Sequence, residues 1–93
     1  MSTGNDKERL EANCVGSLLG LSVGAANGAR DEYLLPDGRK TTGRTLLLCF
    51  FEPQRDLRVG TGSQFDYAGA RWQVDHVDIN AEGTWYAEVS RLP

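Results

Sequence analysis

The chain is poor in the residues that perform chemistry: one histidine, two cysteines and one methionine among 93 residues, with no basic surplus. A nucleophilic cysteine or serine needs a neighbouring base, and His76 is the one imidazole available to serve. Cys14 and Cys49 lie far apart in apolar stretches, without the close spacing of zinc sites or disulfide frameworks. Both are expected to be buried free thiols, which stay protonated and inert. Ten basic against thirteen acidic side chains leave a net charge of −3, which opposes attraction to nucleic acid and to anionic membranes.

A long apolar span is also missing. Residues 12–29 carry no charge, but they include Gly16, Gly20, Gly24 and Gly28, two serines and two asparagines. Such a stretch is too polar and short to cross a bilayer, and the acidic Glu8 and Glu11 before it are unlike the basic start of a signal peptide. No membrane partner and no cleaved leader are expected, and free thiols suit the cytoplasm. The glycines of Gly60-Thr61-Gly62-Ser63 come without the lysine and following helix of a phosphate-binding loop. The segment reads as a turn before a strand, and no cofactor is expected.

What remains is β patterning in a chain with room for one core, so residues 1–93 are expected to form a single domain with a flexible terminus at 1–7. Residues 8–12 suit one helical turn. Residues 14–25 read as one strand, with Val15, Leu19, Leu21, Val23 and Ala25 on one face. Cys14, Gly16, Leu18, Gly20, Ser22 and Gly24 fall on the other, where small residues admit a close neighbour. Asn27-Gly28 signals a turn. A short strand at 32–35 ends at Pro36-Asp37-Gly38 and returns through 39–42 as a hairpin. Residues 45–51, apolar throughout, fit a central strand covered on both faces. Residues 54–58 read as a polar connection.

The C-terminal half is more explicit. A tight turn at Ala68-Gly69 sets Phe65 against Trp72 and Asp66 against Arg71. The apolar alternation then slips by one between Val74 and Val77, which a β-bulge at Asp75-His76 explains. A second hairpin through residues 80–84, with Gly83 left-handed, sets Ile79 against Trp85 and Val77 against Ala87 on the inner face. Asp78 then lies beside Tyr86, and His76 beside Glu88, on the outer face. The sum is a mainly β chain: a small antiparallel barrel or sandwich of six or seven short strands.

Over residues 57–92 the pattern Leu57, Gly60, Phe65, Gly69, Trp72, Val74, Val77, Trp85 and Arg91 resembles small uncharacterised bacterial and phage β-barrel domains of unknown function. Those domains often carry an aspartate after the glycine, where this chain has Thr61. The resemblance implies a fold type and no activity.

His76, Asp78, Tyr86 and Glu88 form the candidate binding site, an imidazole and two carboxylates beside a phenol. The leading expectation is a non-enzymatic module that binds protein, an accessory of a bacterium, phage or mobile element, with homodimerisation through an edge strand as one form of it. The alternative is a small-ligand or metal-binding barrel using the His76 face or its interior. Arg39, Lys40 and Arg44 make a small basic cluster. Phe65, Trp72 and Trp85 face inward, so nucleic acid is not the expected partner.

Overall fold

The structure, a computed structural model, describes residues 7–51 and 54–93. Every regular element in them is a strand: β1 (Lys7–Glu11), β2 (Cys14–Leu18), β3 (Leu21–Leu34), β4 (Lys40–Phe51), β5 (Gln54–Gly60), β6 (Gln64–Tyr67), β7 (Ala70–Ile79) and β8 (Trp85–Arg91). They build two four-stranded antiparallel sheets, ordered β1-β8-β7-β6 and β2-β3-β4-β5. Within each sheet, strands consecutive in sequence lie side by side, and β1 pairs with β8.

The chain changes sheet twice, both times through left-handed backbone. The Ala12 N–H donates to Trp85 O in the first sheet, while the next N–H, of Asn13, donates to Ala25 O in the second. Asn13 has a φ of 64°, the rotation that sends consecutive residues to different sheets. At the second change the Gly60 N–H donates to Ser63 Oγ, and Gly62, with a φ of 94°, donates to Val74 O.

The inner faces of both sheets meet in one cluster. Leu10, Leu18, Val23, Leu46, Leu48, Phe50 and Val59 pack with Phe65, Tyr67, Trp72, Val74, Val77, Ala87 and Val89. Phe50 lies between Phe65 and Tyr67, with ring centroids 5.4 and 4.6 Å away. Trp72 is fully buried and its indole N–H donates to Tyr67 O, so the ring stabilises the core without an orphaned donor. Burying such a side chain contributes about 1.5–3 kcal/mol.

The C-terminal hairpins have the expected registers: Phe65 opposite Trp72, Asp66 opposite Arg71, Ile79 opposite Trp85 and Val77 opposite Ala87. The register shift falls between Val74 and His76, and Gly83 has a φ of 84°. Ile79, expected inward, is exposed at the strand end.

The N-terminal half departs further from its sequence reading. The segment 8–12 is no helical turn: β1 alternates, sends Leu10 into the core and pairs along β8. Of the expected flexible terminus, residues 1–6 lie outside the described residues and Lys7 starts β1. Residues 14–25 form two strands, because Leu19 and Gly20 (φ 49° and 86°) reverse the chain. Asn27-Gly28 is a bulge inside β3 rather than a turn. Residues 54–58 are strand, part of β5. The described residues therefore hold eight strands where six or seven were expected.

Both thiols are more accessible than expected. Cys14, at the start of edge strand β2, is exposed, and Cys49 is only half-buried. Cys49 faces outward from β4 together with Leu47 and Phe51, and among the described residues no second layer covers that side: Phe51 is 48% exposed. β4 is central in its sheet but covered on one face, a distinction a continuous apolar run does not make.

Candidate functional site

The bulge at Asp75 turns His76 outward, and the register of three strands arranges two cross-strand rows around it. One row is Arg9, Glu88 and His76; the other is Glu11, Tyr86 and Asp78. The sequence placed His76 beside Glu88, and they are opposite in register. The contact of the imidazole is nonetheless with its own strand, His76 Nε2 lying 3.3 Å from Asp78 Oδ2. The His76 and Tyr86 rings meet edge to face at 6.0 Å. Three of the four expected residues thus form a connected group, and no ion pair joins Glu88 to His76.

Asp78 is the hub. Its Oδ1 accepts from the Ile79 N–H at 2.8 Å and from Arg44 Nη1 at 2.9 Å, tying β7 to β4 in the other sheet. The backbone bond from Ile79 foremost, with the charges of Arg44 and His76, holds the carboxyl below its ordinary range against a smaller opposing effect of desolvation. The sequence reading missed two participants. Arg9 stacks 3.8 Å from the Tyr86 ring centroid, hidden because its segment looked helical. Arg44 was grouped with Arg39 and Lys40, yet Arg39 instead pairs with Asp37 in the turn, 2.7 Å away.

This arrangement is a set of surface charges engaged with one another. Among the described residues no three His, Cys, Asp or Glu side chains are placed to hold a metal ion. The nearest depression, about 530 Å³ and lined by Arg9, Asp75, Glu88 and Ser90, is open to solvent. Its Ser90 Oγ donates to Asp75 Oδ2 at 2.7 Å, so these groups too are paired.

A second surface has the opposite character. On the outer face of the β2-β3-β4-β5 sheet, Val15 is paired with Gly24, and Gly24 with Cys49. A Cβ built on Gly24 would lie 3.7 Å from both Cys49 Cβ and the tip of Phe51, which places the three on one side. Val15 is 68% exposed, and Leu19 and Leu21 at the hairpin tip are 43% and 36% exposed. A groove of about 430 Å³ runs between Val15, Leu21, Ser22, Phe51 and Tyr67. Residues 12–29 and 45–51 supply this region without a single charge. Asp56 and Arg58 of β5, opposite Cys49 and Leu47, border it.

The sequence reading missed this surface because it ran Val15, Leu19 and Leu21 along one face of a single strand with Val23 and Ala25, and read 45–51 as covered on both faces. The signal that could have found it was Leu19-Gly20 as a two-residue turn, which separates the faces. Among the described residues no helix is long and apolar enough to cross a membrane. No family model, curated protein or solved structure significantly matches the chain.

Proposed function

We propose that the chain is a non-enzymatic protein-binding module, its two sheets forming an open meander barrel that serves as a rigid platform. The observation that carries this reading is the groove lined by the exposed apolar side chains Val15, Leu21 and Phe51. Solitary exposed apolar residues are ordinary, but a contiguous group rimmed by polar side chains is characteristic of protein contact sites. The core supports the reading in a second way. It fills the centre between the sheets with Trp72, Phe50 and Phe65, where apolar side chains rather than a ligand occupy the space.

The two candidate surfaces give opposite results in one experiment. Immobilised protein is used to capture partners from the lysate of its source, alongside Val15→Glu and His76→Ala. Capture that is lost with Val15→Glu and kept with His76→Ala supports the module reading. Capture that survives Val15→Glu and fails with His76→Ala would move the function to the polar face.

A further inference from the structure

We propose that two copies of this chain exchange β1 and β2: the turn at Leu19-Gly20 opens, β2 and β3 run on as one strand, and residues 7–18 of each copy complete the two sheets of the other. The proposal goes beyond the module reading and does not depend on it.

The hinge is the first argument. Leu18 pairs with Leu21, so Leu19 and Gly20 alone make the turn, with φ of 49° and 86°. Two left-handed positions in succession favour Asn, Asp or Gly at the first, where a leucine carries a steric cost. The turn also leaves the Leu19 side chain 43% exposed. In a straight strand the steric cost disappears, and a short hinge under strain favours exchange between copies.

The sequence pattern suits the open form. Val15, Leu19, Leu21, Val23 and Ala25 share one face of a straight strand. The closed hairpin divides them: Val15 is exposed opposite Gly24, whereas Val23 and Ala25 enter the core. Continuing the β2–β3 register through the opened turn sets Leu19 of one copy opposite Gly20 of the other, in line with Leu21 and Val23 of its own strand. Gly20 brings no side chain against it. Residues 12–29 carry no charge, so two chains of net charge −3 meet along this ribbon without like charges opposed.

The exchanged unit is small and peripheral. Among the described residues β1 and β2 each lie at the edge of a sheet, so their withdrawal splits neither sheet, and the ladders they leave are remade in the other copy. They pack on each other, a Cβ on Gly16 falling 2.9 Å from Leu10 Cδ2, so they move as one piece. Of the buried core they carry only Leu10 and Leu18. Ala68-Gly69 is a turn of the same kind, with φ of 55° and 73°, but opening it would withdraw Trp72, Val74, Val77, Ala87 and Val89 with β7 and β8. Leu19-Gly20 is therefore the turn that opens.

Refolding the full chain from urea at two concentrations, followed by sedimentation velocity, tests the proposal. Exchange competes with closure as the concentration nears that at which a short linker presents β2 to its own β3, about 1 mM. Refolding at about 10 μM is expected to give monomer, and at about 1 mM a dimer that persists on dilution, because its return requires the strands to open. Leu19→Asn suits the turn and should lower the dimer yield about tenfold or more, the strain of one left-handed leucine being removed. Deleting Leu19 and Gly20 leaves β2 no turn by which to reach its own β3, so that variant should be dimeric at both concentrations. Ser17→Cys with Ser22→Cys, in a Cys14→Ser and Cys49→Ala background, separates exchange from simple association. The two positions are opposite in register. Oxidised after each species is isolated, they should close within one chain in the monomer and join two chains in the dimer. A wild type that is monomeric after refolding at about 1 mM overturns the exchange. So does a dimer whose cysteines close within single chains, a Leu19→Asn variant that dimerises as readily as wild type, or a deletion variant that folds as a monomer. Should the deletion variant not fold, Leu19→Asn and the cysteine pair decide.

Discussion

Gly28 and Trp85 share a space that holds only one side chain: a Cβ added to Gly28 would fall on Cβ, Cγ and Cδ2 of the Trp85 side chain. Gly28 sits in the bulge of β3 beside Asn27, whose φ is 52°. Trp85 begins β8 in the other sheet. The bulge is held open by a short chain of bonds, with Arg58 Nη1 donating to Asn27 O and Thr45 Oγ1, and Thr45 Oγ1 donating to Ala29 O. One irregularity in the second sheet thus receives the indole of the first.

Gly28→Ala is expected to destabilise the protein by about 1–3 kcal/mol, the usual cost of forcing extra volume into a packed contact. Urea unfolding followed by tryptophan fluorescence checks it, and the native emission should shift as Trp85 is displaced. Unchanged stability and emission would mean that the indole does not rest on Gly28.

Thr45→Val tests the other side of the bulge. Valine keeps the shape, but Ala29 O loses its donor and Arg58 loses an acceptor at a fully buried site. A loss of about 1–3 kcal/mol is expected, since Ala29 O is left without its side-chain donor, while Arg58 keeps Asn27 O and Asp31 as partners. Chemical denaturation at neutral pH provides the measurement, and an effect below about 0.5 kcal/mol would show that water replaces the hydroxyl.

What the sequence made legible divides at the bulges and turns. Phe65, Trp72, Val77 and Ala87 were readable because their turns carry glycine at the left-handed position and the alternation breaks at one place. Residues 14–34 were not readable. Leu19 is an unusual residue for a reversal, whereas Asn27-Gly28 has turn chemistry but serves as a bulge that accepts Trp85. Both depend on a tertiary contact or a strain that local propensity does not encode. The polar face was half legible: strand register put His76 by Glu88, but the imidazole contacts Asp78, whose other carboxylate oxygen binds Arg44 from the other sheet, a contact that register alone does not reveal.

Asp78 contributes a pH dependence of definite sign. Its folded pKa is lowered, mainly by the Ile79 N–H and further by Arg44 and His76. Its stabilising contribution is therefore complete above the unfolded carboxylate pKa and is lost as pH falls through the lower, folded value. Asp78→Asn should be less stable than wild type at neutral pH, and the two should converge under acid conditions below the ordinary carboxylate range. The difference is small, because the carboxylate faces solvent. Thermal melts of both proteins across the acid range would show it, and a gap that widened toward low pH would contradict the assignment.

The two thiols should react at different rates for different physical reasons. Cys14 is exposed at the end of an edge strand, so access does not limit it. Cys49 is half-buried, and its thiol pKa is raised by burial first, then by the negative charge of Asp56 and a hydrogen bond to it. Since the thiolate is the nucleophile, Cys49 should be the slower site at neutral pH and should accelerate only above the ordinary thiol range. Asp56→Asn removes the charge but leaves the burial, so it should speed Cys49 partway toward Cys14 and leave Cys14 unchanged. Alkylation with a small reagent, resolved by peptide mass mapping at several pH values, separates these contributions. Faster modification of Cys49 than of Cys14 at neutral pH would mean that the outer face of β4 is more open than the packing of Phe51 against Gly24 allows.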